Sequence, residues 1–574
     1  MGIRYLLAFT STNFINMRDE VIEWKRAHRG NKPIIAIDFK NLVYAISTSE
    51  ESDICGGRHK ETLKLWEDLL EALKKLDCKF IFFADSITPM WKVGEWMQRR
   101  DEDFDKYKKL YELIKKGTSL EVIPGKIYNL KSLIATYYEM LQKAREYGDF
   151  PYSACNDNDS EIAYYAKENE VFAVISNDSD FLIYDGPWKL WSIKDFNNAI
   201  RLEATEYNRD SLLEKLQLPR HKMPLWATLV GNDYTKKDEN LKRFHVQLSR
   251  KYNHGVGDRQ LFGSIVKYMN TLNFGPKALD FNITQVARSV FGSDHRRYVE
   301  LIKNSVDSYN IDNPLDVNMI NDPIGKKIYQ SKNPIYQSYK ALIYPIVGIS
   351  LPYYDMRGRR PGGIFTDLIV QYTNRKKGIL LMETRPETYT LLAKKEANQH
   401  FERSEEKIIY PDFTIPPLHQ LYLGNTSVVD SEIIGTRWKI FQFIMMFSEE
   451  DVKKVKALDK QFRLIGTVLY VLVKKRLLSV EEADGILYTE HRVYDGTDNN
   501  RKPVKVVDEH IRSAHIYVKA FDCVRENFAV AGLLSQIQEK LLFNGVFFQQ
   551  IIHNMSDAFR HKYMNSLQKY RIYA

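Results

Sequence analysis

Cysteine is scarce in this chain: four in 574 residues (Cys55, Cys78, Cys155 and Cys523), none in a CxxC spacing. That excludes a disulfide-built scaffold and a zinc ribbon and fits a reducing compartment. Long apolar runs are missing too. The longest, residues 464–473, is about half a membrane span, and Lys474, Lys475 and Arg476 follow it. No transmembrane helix and no membrane partner is expected. The opening MGIRYLLAFTSTNF has one arginine and no small-residue cleavage site, unlike a signal peptide. There is no GxxxxGK[ST] or GxGxxG, so nucleotide cofactors are unsupported, and no GxSxG or HExxH. No repeat of fixed period and no low-complexity tract interrupts the chain.

The rest of the composition is ordinary, with 44% hydrophobic and 27% charged residues, which excludes disordered and collagen-like classes. At roughly 100–200 residues per domain, the length predicts several domains or one core with large additions. Charge is uneven. Residues 1–250 hold 38 basic and 39 acidic residues; the remainder holds 45 and 35, a net of +10. A basic second half suits a polyanion such as nucleic acid.

Strand and helix signals alternate over the first 235 residues. Residues 33–39 (PIIAIDF), 78–84 (CKFIFFA), 171–175 and 181–184 read as strands, and 90–116 and 160–168 as helices. This predicts an α/β core with a mainly parallel sheet. Beyond residue 240, periods of three to four dominate, as in 262–272, 337–347, 438–447, 464–477 and 529–551, and a mostly α-helical C-terminal half is expected. Arg375-Lys-Lys and Lys474-Lys-Arg read as solvated basic faces. His510 and His515, spaced wrongly for one helix face, read as surface residues.

In a parallel sheet, function gathers at the C-terminal ends of strands. Acidic residues stand there repeatedly: Asp38 in AIDFKN, Asp85 in FFADS, Asp157 and Asp159 in CNDNDSEIA, Asp178 and Asp180 in SNDSDF, and Asp233 in VGNDY. Singly, each reads as a turn or N-cap residue. Converging, they repel by about 4 kcal/mol per pair at ~4 Å and need cations or protons. Oxygen ligands without Cys or His suit Mg²⁺ or Mn²⁺. Two such ions can activate water and neutralise a phosphodiester.

The ordered set resembles the flap-endonuclease/XPG superfamily of structure-specific nucleases, with its PIN-like core. Gly2 and Ile3 match the family's N-terminal signature, and the five acidic segments resemble its metal-binding motifs in order, with Asp157 and Asp159 in place of two glutamates. Within the superfamily, NDNDSEIA, SNDSDF and PLWATLVGNDY are most similar to the asteroid-like branch. MWKVGEWMQRR resembles the family's first arch helix and implies phosphate contacts by Lys92 and Arg99, with Arg100 beside them. Gly255 and Gly257, in GVG, resemble a displaced helix-two-turn-helix, which implies duplex contact and a K⁺ ion.

The resemblance implies a PIN-like/XPG core over 1–235 with an arch region at 90–126, a degenerate helix-two-turn-helix-like region over 236–300, and a helical asteroid-type region over 301–574. It implies a monomeric, two-metal nuclease acting on DNA in preference to RNA, at flaps, overhangs or junctions; an intracellular, soluble protein is expected, nuclear in preference to cytoplasmic. Asp38, Asp85, Asp157, Asp159, Asp178, Asp180 and Asp233 would hold the metals. The alternative is a catalytically weak or inactive asteroid-like scaffold in RNA binding or in EGF-receptor signalling.

Overall fold

A computed structural model describes residues 2–46, 50–84, 88, 90–123, 127, 136–151, 157–252, 258–275, 281–312, 322–351, 364–394, 400–423, 427–498, 506–556 and 563–574. Six strands, β1 (Thr12–Asn16), β2 (Ile34–Asp38), β3 (Lys79–Phe83), β4 (Ala173–Ile175), β5 (Lys189–Ser192) and β6 (Glu203–Tyr207), form one sheet in the order β1-β6-β5-β4-β2-β3. β2 pairs in parallel with β3 and with β4, and β4 with β5; β6 runs antiparallel to both β1 and β5. Ile35, Ala36, Ile37 and Ala173, Val174, Ile175 are all buried. Such unbroken apolar runs belong to strands covered on both faces. The expected α/β core with a mainly parallel sheet is therefore present.

Residues 181–184 are not a strand. Ser179–Leu182 is a 3₁₀ turn, and Phe181, Leu182, Ile183 and Tyr184 are all buried. An apolar run buried on every side carries no period, so a buried turn looks like a strand in the sequence.

The chain leaves β2 toward β3 on one side of the sheet and leaves β4 toward β5 on the other. The strand order therefore reverses between β2 and β4. Ligands of open α/β sheets bind at the C-terminal ends of such a switch point.

The chain forms two compact units: residues 1–46, 67–85 and 144–319 make the first, and residues 47–66, 86–143 and 320–574 the second. These units cut across the boundaries at 235 and 300 expected from the sequence. In the first unit, the helices Glu239–Lys251, Asp258–Met269, Ile283–Phe291 and Arg296–Asp307 bury Phe244, Phe262, Val290 and Ile302 in the same core as Val174 and Leu190.

The second unit is mainly helical, as expected, but it also holds a three-stranded sheet, β7 (Ile346–Ile349), β8 (Thr388–Ala393) and β9 (Glu402–Lys407), ordered β7-β8-β9. The expected helical run 337–347 stops at Ile343, because Tyr344 before Pro345 is extended, with ψ 141°. The run 529–551 also breaks, at Gly532 with φ 72°. The helix Val93–Lys115 belongs to this unit. Its Trp96 lies over Gly348, where a Cβ would approach the indole to 2.5 Å, and edge-on to Phe401.

The basic triplet 375–377 is not a solvated face. Lys376 and Lys377 are buried. Lys376 pairs with Glu526, and the Lys377 ammonium donates to the Leu342 and Tyr344 carbonyls at the end of the helix Tyr336–Ile343. His515 is buried rather than at the surface and bonds the Ile54 carbonyl at 3.0 Å. Among the described residues, no helix is long and apolar enough to cross a membrane.

Candidate functional site

The switch point gathers the first unit's carboxylates. Asp38 ends β2 and caps the short helix Phe39–Tyr44. The loop after β4 carries Ser176, Asp178 and Asp180. Ser176 joins the two strands: its hydroxyl donates to Asp38 Oδ2 at 3.0 Å and accepts from the Asp178 backbone N–H at 3.1 Å. Asn41 adds its side-chain amide to both Asp38 and Ser176. Asp178 Oδ1 in turn accepts the Asp180 N–H at 3.0 Å. The turn and N-cap roles read for single aspartates are thus real, and they fix where the carboxylates stand.

Gly2 sits against this loop. Ile3 N–H donates to Ser179 Oγ at 2.7 Å. A Cβ on Gly2 would lie 2.5 Å from Asp178 Oδ1 and 2.8 Å from Asp180 Oδ1. Both carboxylates therefore face the same small space, which only a glycine leaves open.

Two buried tyrosines tie in the remaining acids. Burial, and next the charges of Asp157, Asp159 and Asp180, push the Tyr184 hydroxyl well above its ordinary pKa. Burial and then Asp180 do the same to Tyr309, with Asp233 contributing. The two rings are 5.4 Å apart. Asp157 precedes the helix Asn158–Glu168 and accepts from Ser160 at 3.2 Å. Tyr309 donates to Asp180 Oδ1 at 3.2 Å. Asp233 forms an ion pair with Lys236.

Hydrogen bonds thus link Asp38, Asp178 and Asp180 through Ser176 and the loop backbone, while Asp157 and Asp159 act on Tyr184 and Asp233 on Tyr309. Asp85 lies outside the described residues; it follows β3, where Phe83 pairs opposite Asp38. Gly255 and Gly257 also lie outside them. Among the described residues, no three His, Cys, Asp or Glu side chains are grouped closely enough to hold a single ion.

Lys92, Arg99 and Arg100 belong to the second unit. Lys92 precedes the helix Val93–Lys115. Arg99 pairs with Glu95, and Arg100 with Asp103 at 3.1 Å. Trp96, three residues before Arg99 and so on the same helix face, is packed on the small sheet.

Sequence reasoning missed Ser176, Asn41, Tyr184, Asn232 and Tyr309. Ser176 and Asn232 lie inside segments already singled out, SNDSDF and GNDY, as hydrogen-bonding neighbours of the acids. Tyr309 carries no local signal, since its contact with Asp180 spans 129 residues.

Parts of the chain are similar to known proteins. Residues 150–233 match the XPG I-region family. The constitutive coactivator of peroxisome proliferator-activated receptor gamma from Bos taurus is 27% identical over 41% of this chain and 33% of its own length. Flap endonuclease 1 from Enterocytozoon bieneusi (strain H348) is 27% identical over 34% of this chain and 49% of its own. A solved structure of human GEN1 with Holliday junction DNA is 14% identical, covers 76% of this chain and 97% of its own, and has a TM-score of 0.31. The likeness to XPG-type nucleases is thus carried by residues 150–233 and by the part of the chain similar to these relatives. It aligns with only about a third of the length of the coactivators it matches.

Proposed function

We propose that this chain is a divalent-metal-dependent nuclease that hydrolyses phosphodiester bonds in DNA with flaps, overhangs or junctions. The observation that supports the reading is the hydrogen-bonded set of Asp38, Asp178 and Asp180 at the switch point of a parallel sheet, with Asp157, Asp159 and Asp233 assigned to it by their order in the sequence. An oxygen-only donor set suits Mg²⁺ or Mn²⁺, and Asp178 Oδ1 and Asp180 Oδ1 both face Gly2. These residues, with Asp85, would hold two ions directly or through water. Bound there, divalent ions supply an activated water and offset phosphodiester charge.

The chain's own part is positioning. Ser176 and Asn41 hold Asp38, and the Asp180 N–H holds Asp178. Lys92 and Arg99 are assigned the substrate phosphate on the likeness of MWKVGEWMQRR, and Gly255 and Gly257 the duplex, with K⁺, on that of GVG. DNA is favoured over RNA, and a nuclear location follows from that substrate.

A labelled 3′-overhang, 5′-flap and hairpin DNA, each with Mg²⁺, Mn²⁺ or EDTA, test this. Cleavage should require the metal and disappear in Asp178→Asn/Asp180→Asn. Cleavage indifferent to both would come from a contaminant and sink the reading.

A second reading, a non-catalytic scaffold, is favoured by one contact and one likeness. Lys236 already compensates Asp233, and the bovine relative is named as a coactivator rather than a nuclease. DNA or RNA binding without cleavage would support it.

A further inference from the structure

We propose that Tyr309 is a positioning residue that holds the Asp180 carboxylate in the orientation its cluster uses to bind a divalent cation. The inference rests on the reading of that cluster as a metal site. Tyr309 lies 76 residues beyond the last residue of the matched XPG I-region, which ends at 233, in the turn after the helix Arg296–Asp307.

Three observations support it. First, Tyr309 is buried at 6% exposure, yet its hydroxyl is fully engaged: it donates to Asp180 Oδ1 at 3.2 Å and accepts from Asn232 Nδ2 at 3.3 Å. A phenol has one proton to donate. With Asn232 donating to the oxygen, that proton is directed at the carboxylate.

Second, Asn232 is itself fixed. Its amide donates to Ser305 Oγ at 2.8 Å, and its carbonyl accepts from Tyr234 N–H at 3.1 Å. Ser305 also shares a 2.7 Å hydrogen bond with Thr228. Thr228, Ser305 and Asn232 are at most 1% exposed. Two helices, Met223–Val230 and Arg296–Asp307, thus meet in a closed polar chain that ends on Asp180.

Third, the chain ends on Asp180 Oδ1, which together with Asp178 Oδ1 faces Gly2. A tyrosine serving only the core could point its hydroxyl at any buried acceptor. Removing an outer partner of a metal ligand typically costs 10–100-fold in metal affinity.

The test is a Mn²⁺ titration of the full chain, with free ion read from its EPR signal and thermal unfolding measured on the same samples without metal. Wild type should bind Mn²⁺, and Asp178→Asn/Asp180→Asn should not. Tyr309→Phe keeps the ring against Tyr184 and should weaken Mn²⁺ binding by about tenfold. Tyr268→Phe, another largely buried phenol placed outside the cluster, should leave it unchanged. Should Tyr309→Phe not fold, Ser305→Ala, which loosens Asn232, should weaken binding in the same direction by a smaller factor. Wild-type binding with both variants unchanged overturns the role of Tyr309 alone. No Mn²⁺ binding by the wild type overturns that role and the metal-site reading together.

Discussion

In the second unit, Arg525 meets Glu139 at 3.1 Å and also Asp522, Lys376 meets Glu526, and Arg571 grips Asp484 through two bonds of 2.8 and 2.9 Å. In the first unit, Asp38, Asp178 and Asp180 are instead met by the hydroxyls of Ser176 and Tyr309, the amide of Asn41 and a backbone N–H. The difference separates two uses of a sunken acid. A carboxylate matched to a guanidinium is already compensated and serves the fold, since removing its partner leaves a charge stranded in low dielectric. Hydroxyl, amide and backbone N–H donors fix where a carboxylate stands and bring no counter-charge of their own. Asp233, among the aspartates singled out in the sequence, pairs with a cation, Lys236.

The largest effect that would sharpen this contrast is chemical. Asp178→Asn/Asp180→Asn should lower Mg²⁺-dependent cleavage by at least about 10³-fold, measured on a labelled 5′-flap. The same double variant should unfold in urea no more easily than wild type, because two like charges are gone.

Next comes stability in the second unit. Arg525→Ala should cost about 3–5 kcal/mol in urea unfolding by leaving Glu139 and Asp522 uncompensated. A loss under about 1 kcal/mol would break the comparison from the structural side.

The second unit's buried titrating groups give a pH test of intermediate size. Burial lowers His59 and His515 to about 4 from 6.5. The folded state then binds fewer protons than the unfolded one, so stability is full above pH 6.5 and falls as pH drops toward 4. The loss should be about 3 kcal/mol for each histidine. Burial raises Glu490 to about 8, while Tyr517 donates to it at 2.7 Å. That sign is opposite: stability is full below about 4.5 and falls as pH rises through 8. Glu490→Gln should therefore flatten the decline between pH 6.5 and 8, by about 2 kcal/mol, in melts recorded across that range.

The smallest effect concerns Asp233. Lys236→Ala should change stability by less than about 1 kcal/mol, because its side chain is 32% exposed. Its Mn²⁺ titration should shift toward tighter binding if Asp233 belongs with the other carboxylates. Weaker binding, or none, would move Asp233 to the structural class.

The parts of this arrangement that the sequence made legible share a physical cause. β2, β3 and β4 are buried on both faces, so they read as apolar runs, and the acids that follow them sit where parallel strands end. β1 and β6 were not legible. TNFIN and EATEY are short and polar, and β1 at the sheet edge is largely exposed. β8 was missed within a half dominated by helical periods. Lys376 and Lys377 looked solvated because a basic triplet gives no hint of the glutamate and carbonyls waiting for it. The order of the aspartates announced the site, but Ser176 and Tyr309 could be found only in three dimensions.

The helix Val93–Lys115 has a consequence for biosynthesis. Its tryptophan rests on strands that leave the ribosome some 250 residues later, and the first unit itself closes only when residues up to 319 have emerged. Residues 47–66 and 86–143 of the second unit are made before the first unit is complete, and they wait for residues 320–574. Until residues up to 407 have emerged, Trp96 lacks its sheet, and that nascent stage is where chaperone dependence and misassembly should concentrate.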